Sequence, residues 1–420
     1  MKTETILLHY GYKPDNNKSQ AIPIYQTSSY RFDSIKDAYD LFTLNRQGNI
    51  YTRINNPTVG VLEERLAAMH NAKSALVVSS GQAAILYSIL NLASFKDNIV
   101  SSKYLYGGTY NLFKYTLKRI GIETRFAQTN NITDFEKLID NHTKAVYIES
   151  IGNPTNKIAD FIRLSAMAHN NNIPLIVDNT VSPIIFNPFD FGADIIVYSL
   201  TKFISGNGTS IGGAIVEKGD FDWSTLKFNN EFSFDKSYHG LSYIKKFKNS
   251  GVFTAKARLQ LLRDIGACIS PFNAFLILLG LETLPLRIEK HCKNALKVAK
   301  FLSNHPKVSW TNHLSLPNHP DRDLADKYFK KGFGSIIGFG VNGGFEKAKA
   351  FVESLKLIIH LANIGDARSL IIHPASTTHS QLTKEELKKA QIGEDFLRLS
   401  VGIEHVDDII EDLNQSLEKI

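Results

Sequence analysis

Asp194-Ile195-Ile196-Val197-Tyr198-Ser199-Leu200-Thr201-Lys202-Phe203-Ile204-Ser205-Gly206 is the stretch on which the fold class turns. Its first half is an unbroken apolar, β-rich run, as expected of a strand covered on both faces, and its second half opens into a loop with hydroxyls on either side of a lysine. Working outward, similar short runs recur at 75–79, 98–102, 123–127, 145–148, 174–177 and 210–216, separated by longer stretches of helical character. Such alternation implies βαβ units and a mainly parallel central sheet, an α/β fold. Past Pro271 the rhythm changes. Helices are expected at 273–281, 286–302, 346–355 and 406–420, and strands at 308–311, 335–341, 357–361 and 396–401, which together predict a smaller α+β C-terminal domain. Residues 1–60, rich in Tyr, Asn and Pro with weak periodicity, read as an N-terminal arm. The domains expected are therefore this arm, 61–270 and 271–420, with 220–250 as an insertion loop.

At 420 residues the chain exceeds one ordinary domain, and 43% hydrophobic with 21% charged residues is the composition of a globular protein. The net charge of +7 comes from 48 basic and 41 acidic residues mixed along the chain, which argues against a nucleic-acid module. The densest basic run, Lys245-Lys246-Phe247-Lys248, reads as a solvated face. Cys268 and Cys292 have neither metal-ligand nor disulfide-scaffold spacing and read as small buried apolar residues. No segment has the apolar length of a signal peptide or a membrane span, so the expected location is the cytosol.

Three strand ends carry candidate chemistry. Lys202, between Ser199, Thr201 and Ser205, follows a strand at the edge where α/β sheets bind ligands, a place suited to a Schiff-base lysine with a phosphate held by Ser199 and Thr201. Asp178 ends the apolar run 174–177, and a carboxylate so placed needs a cationic partner such as a protonated pyridine nitrogen. Ser80-Gly81-Gln82 joins a strand to a helix, a turn that exposes backbone N–H groups to a phosphate. Singly, these read as readily as a surface lysine, a helix cap and a plain connection. Together they supply what one cofactor, pyridoxal 5′-phosphate (PLP), requires.

Eight ordered stretches then resemble the Cys/Met-metabolism PLP enzymes: Tyr51-Thr52-Arg53-Ile54-Asn55-Asn56-Pro57-Thr58, Ser79-Ser80-Gly81-Gln82-Ala83-Ala84, Leu105-Tyr106-Gly107-Gly108, Glu149-Ser150-Ile151-Gly152-Asn153-Pro154-Thr155, Asp178-Asn179-Thr180, Ser199-Leu200-Thr201-Lys202, His373-Pro374-Ala375-Ser376 and Leu397-Arg398-Leu399-Ser400-Val401-Gly402. The resemblance spans nearly the whole chain and implies an aspartate-aminotransferase-like fold (fold type I). It implies that Lys202 carries PLP, Asp178 meets the ring nitrogen and Tyr106 stacks on the ring. Ser80, Gly81, Gln82, Ser199 and Thr201 are then expected at the phosphate, and Asn153 near the phenolic oxygen. Arg398 is expected to bind the substrate carboxylate. Tyr51 and Arg53 are expected to reach a neighbouring subunit's site, so that a homodimer is the minimal active unit and a homotetramer the expected assembly. Tyr51 and Tyr106 are candidates for assisting proton transfer.

Within the family, Tyr238-His239-Gly240, the run from His360 through Asn363 to Leu370, and Ser376-Thr377-Thr378-His379-Ser380 resemble the O-acetylhomoserine sulfhydrylase branch. Gly108 stands where methionine γ-lyases usually carry cysteine. Asn363 stands where many relatives use serine to help hold the substrate. The activity implied is γ-replacement, in which O-acetyl-L-homoserine and sulfide or a thiol give homocysteine or methionine and acetate. Cystathionine γ-synthase is the alternative, and a methionine or cystathionine γ-lyase a more distant one.

Overall fold

The computed structural model describes residues 1–378, 380, 383, 385, 387 and 392–420. Seven strands form the larger sheet: β1 (Ser74–Val78), β2 (Asn98–Ser102), β3 (Glu123–Ala127), β4 (Thr143–Glu149), β5 (Leu175–Asp178), β6 (Ile195–Ser199) and β7 (Gly213–Glu217), in the order β1-β7-β6-β5-β4-β2-β3. β7 runs antiparallel to both of its neighbours, and the remaining pairings are parallel. In β5 and β6 the apolar residues are buried on both faces, which is why these strands show no polar alternation.

The carboxyl ends of β1, β2, β4, β5 and β6 therefore share one edge of the sheet. Ser80 caps the helix Gly81–Leu90 there, its side chain accepting the Ala83 N–H. Gly213 opens β7 at the same edge, and a Cβ on it would lie 2.0 Å from the Ser80 carbonyl oxygen and 2.8 Å from the Gly81 nitrogen. Only glycine lets β7 pass so close under the Ser80-Gly81 turn.

The second sheet comprises β8 (Val308–Asn312), β9 (Ile336–Val341), β10 (Ile359–His360), β11 (Leu370–Ile372) and β12 (Phe396–Ser400), ordered β10-β11-β12-β9-β8. Its apolar face packs with the helices Leu284–Asn304, Gly344–Ser354 and Val406–Glu418 around Val298, Leu302, Phe339, Phe351, Leu399 and Leu413. The 21-residue helix Leu284–Asn304 serves both cores. Ile288 belongs to the cluster around the large sheet, whereas Ala295, Val298 and Leu302, further along the same stripe, belong to the second.

Two segments differ from expectation. Residues 220–250 contain the short helices Asn229–Ser233 and Tyr243–Phe247, with Phe221, Trp223, Phe228 and Phe232 packed into an aromatic cluster against Phe253. Aromatic burial, rather than periodicity, orders this insertion. Within the first sixty residues, the helix Thr3–His9 docks on Pro57–Met69 and Pro271–Glu282, where Leu7 is fully buried. Most of residues 10–50 are exposed. Among the described residues, no single helix is long and apolar enough to cross a membrane.

Candidate active site

A cavity of about 300 Å³ opens at the shared strand edge. β6 delivers Ser199, Thr201 and Lys202 to it, β5 delivers Asp178, and the β1 turn delivers Ser80, Gly81 and Gln82. Glu149 lines it from the end of β4, Tyr106 and Asn153 from the loops after β2 and β4, Arg398 from β12 and Asn363 from the loop after β10.

The Lys202 amine donates a 2.7 Å hydrogen bond to Asn363 Oδ1. Burial, helped by the nearby Arg398 cation, lowers its pKa to about 8. The loop that carries it is braced from two directions. Ala367 donates its N–H to Gly206 O at 2.8 Å, and the buried Arg287 guanidinium donates to the carbonyls of Phe203 (2.7 Å) and Ile204 (3.0 Å).

Asp178 is held by Thr180 and Tyr147. The Thr180 N–H reaches Oδ1 at 2.9 Å and the Tyr147 hydroxyl reaches Oδ2 at 3.2 Å. Burial raises the Asp178 pKa, opposed by the hydrogen bonds from Thr180 and Tyr147. The Thr180 hydroxyl in turn accepts the Ser199 N–H at 2.8 Å, which ties β5 to β6 at the cavity.

Arg398 is 3% exposed, on β12 in the middle of the second sheet. It donates to Asn153 Oδ1 at 3.2 Å and to the Asn363 carbonyl at 3.1 Å, and its Nε is buried with no partner. Burial lowers its pKa to about 10. Gln82 Oε1 is likewise buried without a partner at the cavity wall. Thr201 is already engaged, its hydroxyl accepting the Gly212 N–H at 3.1 Å and donating to the Gly212 carbonyl at 3.3 Å. A Cβ on Gly81 would lie 2.7 Å from that of Ser199, so the glycine brings the helix start against β6.

Tyr51 and Arg53 stand apart from these residues. They line a second recess, of about 460 Å³, with Gln26, Ser28, Cys268 and Ser270. There the Arg53 guanidinium lies over the Tyr51 ring at 5.5 Å and donates to the Arg263 carbonyl. Thr378 reaches the wall of the Lys202 cavity, while His379 lies outside the described residues.

Sequence reasoning assigned no role to Glu149 or Tyr147. Glu149 had a signal, since it ends the apolar run 145–148 as Asp178 ends 174–177. Tyr147 had none, because one aromatic in a buried strand reads as core.

Residues 4–418 match the family model described as Cys/Met metabolism PLP-dependent enzyme. An O-acetyl-L-homoserine sulfhydrylase of Leptospira meyeri is 49% identical, covering 100% of this chain and 97% of its own length. A homocysteine synthase of Schizosaccharomyces pombe is 46% identical over 99% of this chain and 98% of its own. Among solved structures, an O-acetylhomoserine (thiol)-lyase of Campylobacter jejuni containing a pyridoxyl-lysine monophosphate superposes with a TM-score of 0.95 at 42% identity, covering 100% of both chains.

Proposed function

The chain belongs to the Cys/Met-metabolism PLP-dependent enzymes, and from that premise we propose that it replaces the acetoxy group of O-acetyl-L-homoserine with the sulfur of sulfide or a thiol, releasing acetate. The observation that carries this reading is the convergence of a lysine, a carboxylate and a buried arginine on one cavity. The names of the relatives in Leptospira meyeri, Schizosaccharomyces pombe and Campylobacter jejuni support the same reaction.

The residues present fit PLP. Asp178 provides a carboxylate for the ring nitrogen, the N–H groups of the helix start at Gly81 and Gln82 suit a phosphate, and Lys202 has its amine within the same cavity. When bound, PLP holds the substrate's amino group and acts as an electron sink that acidifies the neighbouring C–H bonds. The rest falls to side chains. Arg398, with Nε unpaired and two further nitrogens fixed by Asn153 and Asn363, receives the substrate carboxylate and sets which C–H bond faces Lys202. With PLP bound, the Lys202 amine would take the proton from Cα and then one from Cβ, so that acetate leaves Cγ and the sulfur adds there, and would return protons to Cβ and Cα afterwards. Asn363 holds the free amine during these transfers. Tyr106 would hold the cofactor ring by stacking on it and Asn153 by contact with its phenolic oxygen, both lining the cavity. Ser80, Ser199 and Thr201 complete the phosphate seat.

Tyr51 and Arg53 serve a neighbouring subunit. Their separate recess on this chain supports that role, with the dimer as the working unit; a tetramer of two such dimers is the assembly that the family resemblance implies. The arm 1–60, the PLP-binding domain 61–270 and the C-terminal domain 271–420 are its functional divisions, and the cytosol is its location.

The test is a visible spectrum followed by product analysis. Purified protein is expected to show a PLP band that Lys202→Ala abolishes, and to form homocysteine and acetate from O-acetyl-homoserine and sulfide. Cystathionine from cysteine as the main product would move the activity to the synthase branch; no band after PLP addition would refute the reading.

A further inference from the structure

Glu149 is a buried carboxyl, 8% exposed, with no part in the proton transfers assigned to Lys202. It sits directly across from Asp178 in the pairing of β4 with β5, and burial together with the Asp178 charge pushes its pKa well up. Two neighbouring carboxyls in one low-dielectric place oppose each other, and among the described residues no lysine or arginine pairs with Glu149. Its partners are two backbone groups. Oε1 accepts the Tyr106 N–H at 2.6 Å, and Oε2 accepts the Asn153 N–H at 3.1 Å.

The two N–H bonds oppose that rise and favour the charged form, since a carboxylate accepts on both oxygens and has no donor of its own to place between two converging N–H groups. The loops so joined are those that carry the ring-facing Tyr106 and Asn153, and Asn153 Oδ1 accepts from Arg398 at 3.2 Å. One side chain at a strand end thus connects the wall behind the cofactor ring to the arginine that receives the substrate.

We propose that Glu149 is a positioning residue of this enzyme, fastening the Tyr106 loop to the Asn153 loop and, through Asn153, fixing the pose of Arg398. The inference rests on the cavity being the PLP site. Glutamine at this position keeps one acceptor but turns an amide donor toward the second N–H, and alanine removes both acceptors.

The experiment compares wild-type, Glu149→Gln, Asn153→Ala and double-variant holoenzymes by steady-state kinetics and by visible circular dichroism of bound PLP. Glu149→Gln is expected to raise KM for O-acetyl-homoserine, to lower kcat/KM about tenfold to a hundredfold, and to change the dichroic band. Asn153→Ala reproduces the KM effect, and the double variant loses less than the product of the two. Wild-type KM and dichroism in Glu149→Gln, or strictly multiplicative losses in the double variant, would overturn the proposal. So would a lower melting temperature with unaltered kinetics in the folded fraction, which is what a purely structural role gives. Glu149→Ala, if it fails to fold, leaves the isosteric glutamine variant to decide. Wild-type protein that binds no PLP would remove the reading of the cavity itself, a different failure from an indifferent Glu149→Gln.

Discussion

The ε-amine of Lys202 is buried beside a guanidinium, and both conditions favour its neutral, nucleophilic form. Capture of PLP by the apoenzyme needs that form, so its rate is expected to rise with pH through a midpoint near 8, where an exposed lysine would titrate near 10.5. Arg398→Ala removes the neighbouring cation and admits water, and both changes raise the amine's pKa. The midpoint of capture, followed by stopped-flow absorbance, should therefore move to higher pH, and an unmoved midpoint would show that Arg398 does not act on Lys202. Residue by residue, legibility followed chemistry. Lys202 and Asp178 were readable as candidates only in combination with the Ser80-Gly81-Gln82 turn, since each alone has an ordinary structural reading as a surface lysine or a helix cap. Arg398, inside β12, was found only by resemblance, since an arginine between leucines gives no sign of which cavity it faces. Tyr147 escaped because its role depends on a hydroxyl meeting Asp178 across a neighbouring strand.

Among the elements, β7 is the one whose placement the phosphate turn depends on. It is the reversed strand, wedged between β1 and β6, and Gly213 lets its first residue slide beneath Ser80. Gly213→Ala puts a methyl group into backbone atoms, which cannot rotate away. Its expected cost is roughly 1–3 kcal/mol of stability, together with weaker PLP binding because the Ser80-Gly81 turn must shift. A thermal melt of the apoenzyme with a PLP titration checks this, and unchanged PLP affinity would show that the turn is independent of β7. The strands were legible where apolar runs were long enough to be read. β11, three residues long, was not, and β10 shrank from the expected 357–361 to two residues. The insertion 220–250 was misjudged as a loop because Phe221, Trp223, Phe228 and Phe232 follow neither a helical nor a strand period, yet meet in space.

Across the whole molecule, burial holds four histidines neutral. His70, His291, His313 and His319 each have their pKa lowered to about 4, chiefly by desolvation. The unfolded chain binds these protons near pH 6.5 and the folded chain only near 4, so the stability they represent is present above about 6.5 and is lost as pH falls toward 4. Each shift corresponds to about 3 kcal/mol at most, and His169, whose pKa its bond to Asp194 raises, works in the opposite sense. The urea midpoint of the apoenzyme is expected to fall steeply between pH 6.5 and 4.5; a flat profile would mean that these rings stay solvated. The two-sheet plan was legible at this scale, because a change of rhythm after Pro271 marks where one pattern gives way to another. The helix at 286–302 was legible as well, as a natural bridge to the second domain, but the point where it passes from one core to the other was not, since its single stripe of buried residues carries no mark of the changeover between Ile288 and Ala295. The two tryptophans divide along the same line. Trp223 is buried in the insertion's aromatic cluster against the large sheet, and Trp310 lies on β8, its indole N–H on Asp395 at 2.7 Å. Nature has thereby placed one intrinsic fluorophore in each half, so the single-tryptophan proteins made by Trp310→Phe and Trp223→Phe would let emission alone tell whether the halves melt together or one after the other.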